Sequence, residues 1–279
     1  MNSMTKNESS SRIVTSVVAV ISAAALAVSL IAAGFAACAV PDVSTKALAS
    51  VYSTDGASPF TKDELVAAAV QTKHYTIDDN DKAAVYATIA AINAQEALAG
   101  TAGKGAPKID ATANYAAGEL SGEQVAALEA AFDAASERYV LTPDAVSHLD
   151  DVFGVVQAAK WWLLAAVVAA CVGCTATAFR GGKRLLGRVL AGAGVSVLAV
   201  FALLAAWVAI DFDGFFAQFH SLFFAAGTWT FSWDSLLICM YPPEFWVGMG
   251  AIWLVVTVAC CVVCITIGRL LRKGSTQKR

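Results

Sequence analysis

Three histidines occur in the chain, and two of them lie in contexts suited to proton transfer. His148 precedes Asp151 by three residues, so on a helix the two side chains share a face. A carboxylate there can hold one imidazole nitrogen as N–H and leave the other to accept a proton. His220 lies in the aromatic segment Phe219–Phe224. We interpret His148 and His220 as candidates for acid–base chemistry, with Asp151 orienting His148, and His74 as a solvated loop residue.

The same residues allow other interpretations. A His–Asp pair near a helix start is often only a local polar contact, and a histidine among phenylalanines often lies at a membrane interface. A zinc site built from His148, Asp151, His220 and Asp234 is a third interpretation, although the separations match neither a HExxH nor a CxxC site.

The seven cysteines give little support for redox or metal chemistry. The CxxC-like sets that begin at Cys171 and Cys260 lie inside apolar stretches, where thiols behave as small hydrophobic groups. Cys38 and Cys239 lie near the ends of such stretches and could accept an acyl group, but neither has an adjacent His–acid pair. The sequence also contains no GxSxG elbow, phosphate loop or dinucleotide fingerprint. We therefore expect neither a metal nor a cofactor.

The apolar composition of the chain indicates that long apolar helices position these residues. The chain is 58% hydrophobic and 15% charged, against about 45–50% and about 25% in soluble domains. This excludes an ordinary soluble enzyme, a disordered protein and a basic nucleic-acid binder. Four stretches reach the roughly 20 residues that cross a bilayer; they are residues 13–37, 160–179, 185–210 and 247–270. The first is longer than the roughly 7–15 residue core of a signal peptide, which favours a retained helix over a cleaved leader.

The distribution of charge predicts the orientation of these helices. Eleven basic residues and a single acid, Glu8, flank the helices on the side of the two termini, and 21 of the 22 acids lie on the other side. Because basic connections stay in the cytoplasm, we expect both termini inside a cell membrane. The segments in order are a cytoplasmic N-terminus (1–12), helix 13–37, an extracytoplasmic domain (38–159), helix 160–179, a cytoplasmic loop (180–184), helix 185–210, an extracytoplasmic loop (211–246), helix 247–270 and a cytoplasmic tail (271–279).

The extracytoplasmic domain is predicted to be helical. Residues 44–69 and 82–98 have helical character, and the Gly/Pro-rich residues 100–108 indicate a flexible joint. Ser121 and Gln124 form a capping box ahead of another helix. Thr142 and Pro143 begin a further helix that carries His148 and continues into the second span. The predicted fold class is therefore an all-α membrane protein, with four transmembrane helices and a helical extracytoplasmic domain between helices 1 and 2.

Two motifs resemble those of the bacterial lipoprotein intramolecular transacylase family of four-span membrane proteins. The segment 148–152 (HLDDV) is similar to the family's His-Met-x-Asp-Val, with Leu149 in place of the methionine. The segment 219–224 (FHSLFF) is followed by Trp229, Asp234 and the aromatic run 241–246 (YPPEFW), in an order and spacing similar to the family's, although Ile238 is shifted by one place. Residues 83–120 are longer and richer in alanine than the family pattern.

This resemblance implies an acyltransferase acting at the extracytoplasmic membrane surface. Such an enzyme moves the sn-2 acyl chain of a diacylglyceryl-cysteine lipoprotein onto the cysteine's own α-amino group, giving a lyso-form lipoprotein. Its partners would be diacylglyceryl lipoproteins and membrane lipid, without nucleic acid. The implied catalytic residues are His148, His220 and Asp151, with the assignment of base and acid open. The implied substrate-binding residues are Trp229, Asp234, Phe219, Phe223, Phe224 and Trp246.

Two other function classes compete with this one. A metal-dependent membrane lipid hydrolase would use the same histidines, and a non-enzymatic scaffold or sensor would need neither. A transporter is disfavoured because the spans carry no acidic or basic residue away from their ends.

Overall fold

The computed structural model describes residues 2–116 and 120–274, and within these ranges the chain forms helices and no strand. The all-α prediction is confirmed. Among the described residues, three helices are long and apolar enough to cross a membrane, over Ser10–Ala39, Pro143–Ile210 and Pro243–Gly274. In chain order the helices are α1 (Asn2–Ala39), α2 (Asp42–Tyr52), α3 (Lys62–Ile77), α4 (Lys82–Ala99), α5 (Gly122–Asp133), α6 (Pro143–Ile210), α7 (Phe212–Ser221), α8 (Leu236–Met240) and α9 (Pro243–Gly274).

The chain divides into two compact units. The first, here called the apolar unit, contains the chain up to Ala37, Ala158–Phe216 and the chain from Ala251 onward. The second, here called the site unit, contains Cys38–Gln157 and Ala217–Gly250. All the residues predicted to catalyse the reaction or bind substrate lie in the site unit.

Small residues allow close contacts between the helices of the apolar unit. The hydroxyl oxygens of Ser22 and Thr177 are 3.3 Å apart. Gly187 and Gly268 face each other so closely that a Cβ on Gly187 would lie 2.5 Å from the Gly268 carbonyl oxygen. Contacts of this kind let helix backbones approach, which is how apolar helices associate without a hydrophobic driving force.

Helix α6 folds back on itself at Gly182. Ser22 of α1 contacts Thr177, and Leu30 of α1 clusters with Val197. Ser22 and Leu30 are about 12 Å apart along α1, whereas Thr177 and Val197 would be about 30 Å apart in a straight helix. Gly182 breaks the helix with φ 67° and ψ −177°, a conformation open almost only to glycine.

Helices α2 to α5, the first turns of α6, and α8 share the core of the site unit. Its largest fully buried side chains include Tyr75, Phe132, Phe245 and Leu65. Thr61 begins α3 with a capping box to Glu64. The predicted capping box of Ser121 and Gln124 is confirmed at the start of α5, and Thr142 accepts a hydrogen bond from the Ala145 amide at the start of α6.

Other local predictions need correction. The helix expected over residues 44–69 is two helices, because the chain turns between Ser53 and Thr61 before the new cap. His74 is not a loop residue, since it lies in α3 with Nε2 2.8 Å from Asp42 Oδ1. This contact, with Lys73 beside it, holds the pKa of the Asp42 carboxyl below its usual value. Residues 100–108 are tied to the chain ahead of α6, as the Gly105 carbonyl accepts a 2.8 Å hydrogen bond from the Ser136 amide.

We predict that Gly182→Ala lowers the stability of the folded chain by about 1–3 kcal/mol, because an alanine resists this backbone conformation. Gly192→Ala is the matched control, since Gly192 is helical and a Cβ there meets nothing within 4 Å. The control should leave stability unchanged or raise it by up to about 1 kcal/mol. Thermal unfolding of the two variants in detergent checks this, and equal midpoints would contradict the proposed constraint at Gly182.

Candidate active site

His148 lies on the buried face of the first turns of α6. The Thr142 cap and Pro143 fix where this helix begins, so His148 falls in its second turn. Ala145 and Leu149 lie on the same face and are buried in the core. His148 is only 8% exposed, which is unusual for a residue whose side chain can carry charge.

His220 lies in the last turn of α7, where the chain leaves the helix. Its carbonyl oxygen accepts hydrogen bonds from the amides of Phe223 at 3.0 Å and Phe224 at 2.9 Å, which closes the turn after the helix. The Trp229 ring stacks on the imidazole, with centroids 4.8 Å apart and planes 30° apart. His220 is half-buried and therefore less enclosed than His148.

The two imidazoles face each other inside a group of aromatic rings. Their centroids are 6.2 Å apart and their planes differ by 30°. Phe224 packs edge-on against His148 at 4.9 Å and also contacts His220 at 5.8 Å. Phe231 completes the group on the His148 side, at 5.7 Å. The pairing expected from the sequence, two histidines at one place, is thus present in the site unit.

Contacts between the chain ahead of His148 and the chain after His220 hold the two histidine motifs together. The Leu236 amide donates a 2.7 Å hydrogen bond to the carbonyl of Glu137, just ahead of α6. Beside it, Arg138 Nε lies 3.4 Å from Asp234 Oδ2. Leu236 is fully buried, so the chain after His220 is part of the same core as the chain before His148.

The surroundings of His148 keep its imidazole neutral. Burial, together with the nearby His220, lowers the pKa of His148 to about 4, and the charge of Asp151 opposes these two effects more weakly. Nδ1 of His148 is buried and finds no hydrogen-bond partner among residues 2–116 and 120–274. A neutral imidazole with an unused nitrogen can donate or accept one hydrogen bond to a molecule that enters the site.

Asp151 acts on His148 through its charge. Its side chain is exposed, and within the described chain no hydrogen bond joins it to the imidazole. Asp150, the neighbouring carboxylate, is the one that the structure ties to another helix: it accepts hydrogen bonds from Tyr75 and Asn80. The sequence alone predicts no role for Asp150.

The residues predicted to bind substrate fall into two groups. Trp229 and Phe224 contact the histidines, and Phe219 and Phe223 pack beside them with 43% and 48% of their surfaces exposed. Trp246 instead packs on Tyr241 and Phe245 and donates its indole N–H to the Tyr241 carbonyl.

Asp234 and Phe231, in the loop after His220, make contacts that the sequence did not predict. Asp234 pairs with Arg138, so the structure gives this carboxylate a role in joining chain segments. Phe231 contacts His148 but was not singled out, since a lone phenylalanine in an aromatic loop carries no distinguishing signal.

The structure does not assemble the four residues that were considered for zinc. No three His, Cys, Asp or Glu side chains form a metal-binding group in the described ranges. Cys239 is buried with its thiol directed to the Trp233 carbonyl, and burial raises the pKa of that thiol.

Comparisons with known proteins bear on the same segments. The family model described as lipoprotein intramolecular transacylase Lit matches residues 114–246, which include both histidine motifs. None of the curated proteins matches the sequence.

Three solved structures share the fold, all in meso structures of the membrane integral lipoprotein intramolecular transacylase Lit from Bacillus cereus. A variant with one histidine replaced by arginine has a TM-score of 0.65 at 14% identity, covering 98% of this chain and 99% of that chain. The corresponding alanine variant has a TM-score of 0.65 at 15% identity, covering 97% and 99%. A third structure has a TM-score of 0.60 at 15% identity, covering 95% and 98%.

The resemblance predicted from the two histidine motifs is confirmed, because residues 114–246 of the chain match the lipoprotein intramolecular transacylase family.

Proposed function

We propose that this protein moves the sn-2 acyl chain of a diacylglyceryl-cysteine lipoprotein to the α-amino group of the same cysteine. The observation that carries the proposal is the His148–His220 pair, with centroids 6.2 Å apart in an aromatic enclosure. The match of residues 114–246 to the transacylase family supports the general activity. The site supports the particular transfer because it offers two imidazoles for proton movement and apolar rings for acyl chains.

The reaction needs three contributions from the protein. As the amine attacks the ester carbonyl, a C–N bond forms, and the C–O bond to the glycerol then breaks. The amine proton must leave, the carbonyl oxygen must be stabilised while it carries negative charge, and the departing glycerol oxygen must receive a proton. Donor and acceptor belong to one substrate, so positioning supplies a large share of the acceleration.

His220 is the proposed proton carrier. It is the less enclosed imidazole of the pair and lies at the C-terminus of α7. The partial negative charge of a helix C-terminus stabilises an imidazolium, which forms when the ring takes up the amine proton. The same ring then returns that proton to the glycerol oxygen, so the proton count balances.

His148 is the proposed donor to the carbonyl oxygen. An imidazole with a pKa near 4 is neutral and a weak base at neutral pH, but it retains one N–H for donation. A neutral histidine can polarise a substrate carbonyl in this way. The charge of Asp151 partly opposes the lowering of the His148 pKa, and Trp229 would hold the plane of the His220 ring by stacking.

The exposed aromatic side chains form the proposed contact with acyl chains. Phe219 and Phe223 leave nearly half of their surfaces uncovered next to His220. Phe224 connects them to His148. Trp246 and Asp234 remain proposed substrate-binding residues whose observed contacts are with Tyr241 and Arg138.

We also propose that the chain crosses the membrane four times with both termini in the cytoplasm. The 68 residues of α6 are about 100 Å long if straight, far more than one crossing needs. The break at Gly182 divides α6 into two spans, and the basic residues around this break favour the cytoplasmic side. The two histidine motifs then face the extracytoplasmic side.

The histidine roles predict a defined loss of product. In a host that accumulates diacylglyceryl lipoproteins, expression of the wild type should yield the lyso-form, detected by mass spectrometry of lipoprotein N-termini. His148→Ala and His220→Ala should each lower the product by about 100-fold or more, because each removes a group used in the transition state. His74→Gln is the matched control and should retain activity, since His74 pairs with Asp42 in α3. Unchanged diacyl-form in cells that express the wild type well would contradict the proposal.

The neutrality of His148 predicts a pH dependence of stability. Its pKa of about 4 in the folded state lies below the ordinary value of 6.5, so between these values the unfolded chain binds more protons. The stabilising effect of a neutral His148 is complete above pH 6.5 and is lost as the pH falls toward 4, by on the order of 3 kcal/mol. His148→Gln removes the titrating group and should flatten the stability profile in this window. Superimposable profiles of the wild type and the variant would show that His148 titrates normally.

The four-span topology predicts which loops a protease can reach. A cleavage site inserted at residues 101–105 should be cut in intact spheroplasts. A site inserted between Gly181 and Lys183 should be cut only after the membrane is permeabilised. Cleavage of both insertions in intact spheroplasts would contradict the orientation.

A further inference from the structure

A hydrogen-bonded group on the opposite side of α6 from His148 joins this helix to α3. The Tyr75 hydroxyl donates to Asp150 Oδ1, and Asn80 Nδ2 donates to the same oxygen at 3.1 Å. Tyr75 is 2% exposed, although it carries a hydroxyl that needs a partner. Burial, with the Asp150 carboxylate beside it, raises the pKa of Tyr75, so its hydroxyl remains a donor.

The turn after α3 is shaped to present Asn80 to this group. Asn80 has φ 56°, the only positive φ outside glycine among the described residues. Asparagine tolerates this conformation better than most residues, at some cost in backbone energy. Its amide also reaches back to the Tyr75 carbonyl at 3.5 Å. Two side chains thus converge on a single carboxylate oxygen of α6.

The position of Asp150 determines what this contact controls. Asp150 is two residues beyond His148, so the two side chains point about 200° apart around the helix axis. Phe224 and Phe231 contact His148 on one side, and Tyr75 and Asn80 hold Asp150 on the other. Together these contacts resist rotation of α6 about its own axis.

We propose that Tyr75, Asp150 and Asn80 are positioning residues that fix the rotation of α6 and thereby the place of the His148 imidazole. This inference rests on the proposed function, because it concerns the geometry of the same acyl transfer. A rotation of about 10° moves a side-chain tip that lies about 6 Å from the helix axis by about 1 Å. A displacement of that size can cost about 100-fold in rate.

The test compares Tyr75→Phe with a matched variant of another buried tyrosine. Tyr75→Phe keeps the ring and removes only the hydroxyl, and it should lower kcat by about 10- to 100-fold with KM unchanged within about twofold. Tyr139→Phe removes a buried hydroxyl that accepts a 3.2 Å hydrogen bond from the Gly103 amide in the same unit. This control should keep kcat within about twofold of the wild type.

Substitutions of Asp150 test the same contact from its other side. Asp150→Asn retains an oxygen that accepts from Tyr75 and Asn80, so it should keep most of the activity. Asp150→Ala should match Tyr75→Phe. The Tyr75→Phe/Asp150→Ala double variant should lose less than the product of the two single losses, because both act through one contact.

A spectroscopic measurement separates positioning from a general loss of stability. The chain has three histidines, so ¹³C-labelled imidazoles give few signals to assign. In Tyr75→Phe the His148 signal should titrate at a pH above the wild-type value of about 4, because a displaced ring gains water. A variant that is only less stable would show a lower unfolding midpoint with His148 titrating as in the wild type.

Two results would overturn the inference. One is Tyr75→Phe with a wild-type kcat and an unchanged His148 titration; the other is an equal loss of kcat in Tyr139→Phe. If the wild type has no transacylase activity, the proposed function fails, and the His148 titration still decides whether Tyr75 positions the ring.

Discussion

The burial of an uncharged imidazole is the physical constraint on which the proposed chemistry of the site depends. Phe224, Phe231 and the surrounding core exclude water from His148, and this desolvation is the largest cause of its low pKa. A buried nitrogen without a hydrogen-bond partner costs about 1–3 kcal/mol. The fold tolerates that cost because the helix that carries His148 begins at a fixed cap and packs through Ala145 and Leu149. The nitrogen therefore lowers the stability of the site unit and can form a hydrogen bond with a molecule that enters the site.

The second histidine reaches the first because α8 is part of the site-unit core. Leu237 and Met240 are buried with the side chains of α3 and α4, and the Cys239 carbonyl accepts a 3.0 Å hydrogen bond from the Thr54 amide. The Tyr241 hydroxyl donates to the Ala69 carbonyl of α3. Residues 217–250 are therefore an integral part of the site unit. Packing between these residues and residues 38–157 fixes His220 relative to His148, and neither segment could provide this packing alone.

The sequence predicts the parts of this fold that have local signals. The capping box of Ser121 and Gln124, the Thr142 cap and the helix over residues 82–98 each follow from adjacent residues, and the structure contains them. The two histidine motifs also predict the family correctly. The sequence did not reveal the role of α8, because five residues are too few for a helical period and their burial depends on distant helices.

The other features that the sequence did not predict also depend on contacts between residues far apart in the chain. His74 looks like a loop residue because its partner, Asp42, lies 32 positions away. Asp150 looks like a second copy of Asp151, and only its contacts with Tyr75 and Asn80 distinguish the two carboxylates. Tertiary contacts between distant positions therefore distinguish two adjacent acids that look alike in the sequence.

The proposed chemistry explains why positional accuracy matters more here than nucleophile activation. In an intramolecular transfer the amine and the ester are already tethered, so the substrate supplies the effective concentration that an enzyme nucleophile would otherwise provide. The buried thiol of Cys239 has a raised pKa and so resists forming the thiolate that an acyl-enzyme would need. What remains for the protein is to align the tethered groups with one N–H donor and one proton carrier. Both imidazoles lie near helix ends, where a small rotation changes the distance to the reacting carbonyl, and this makes the contacts behind α6 as important as those in front of it.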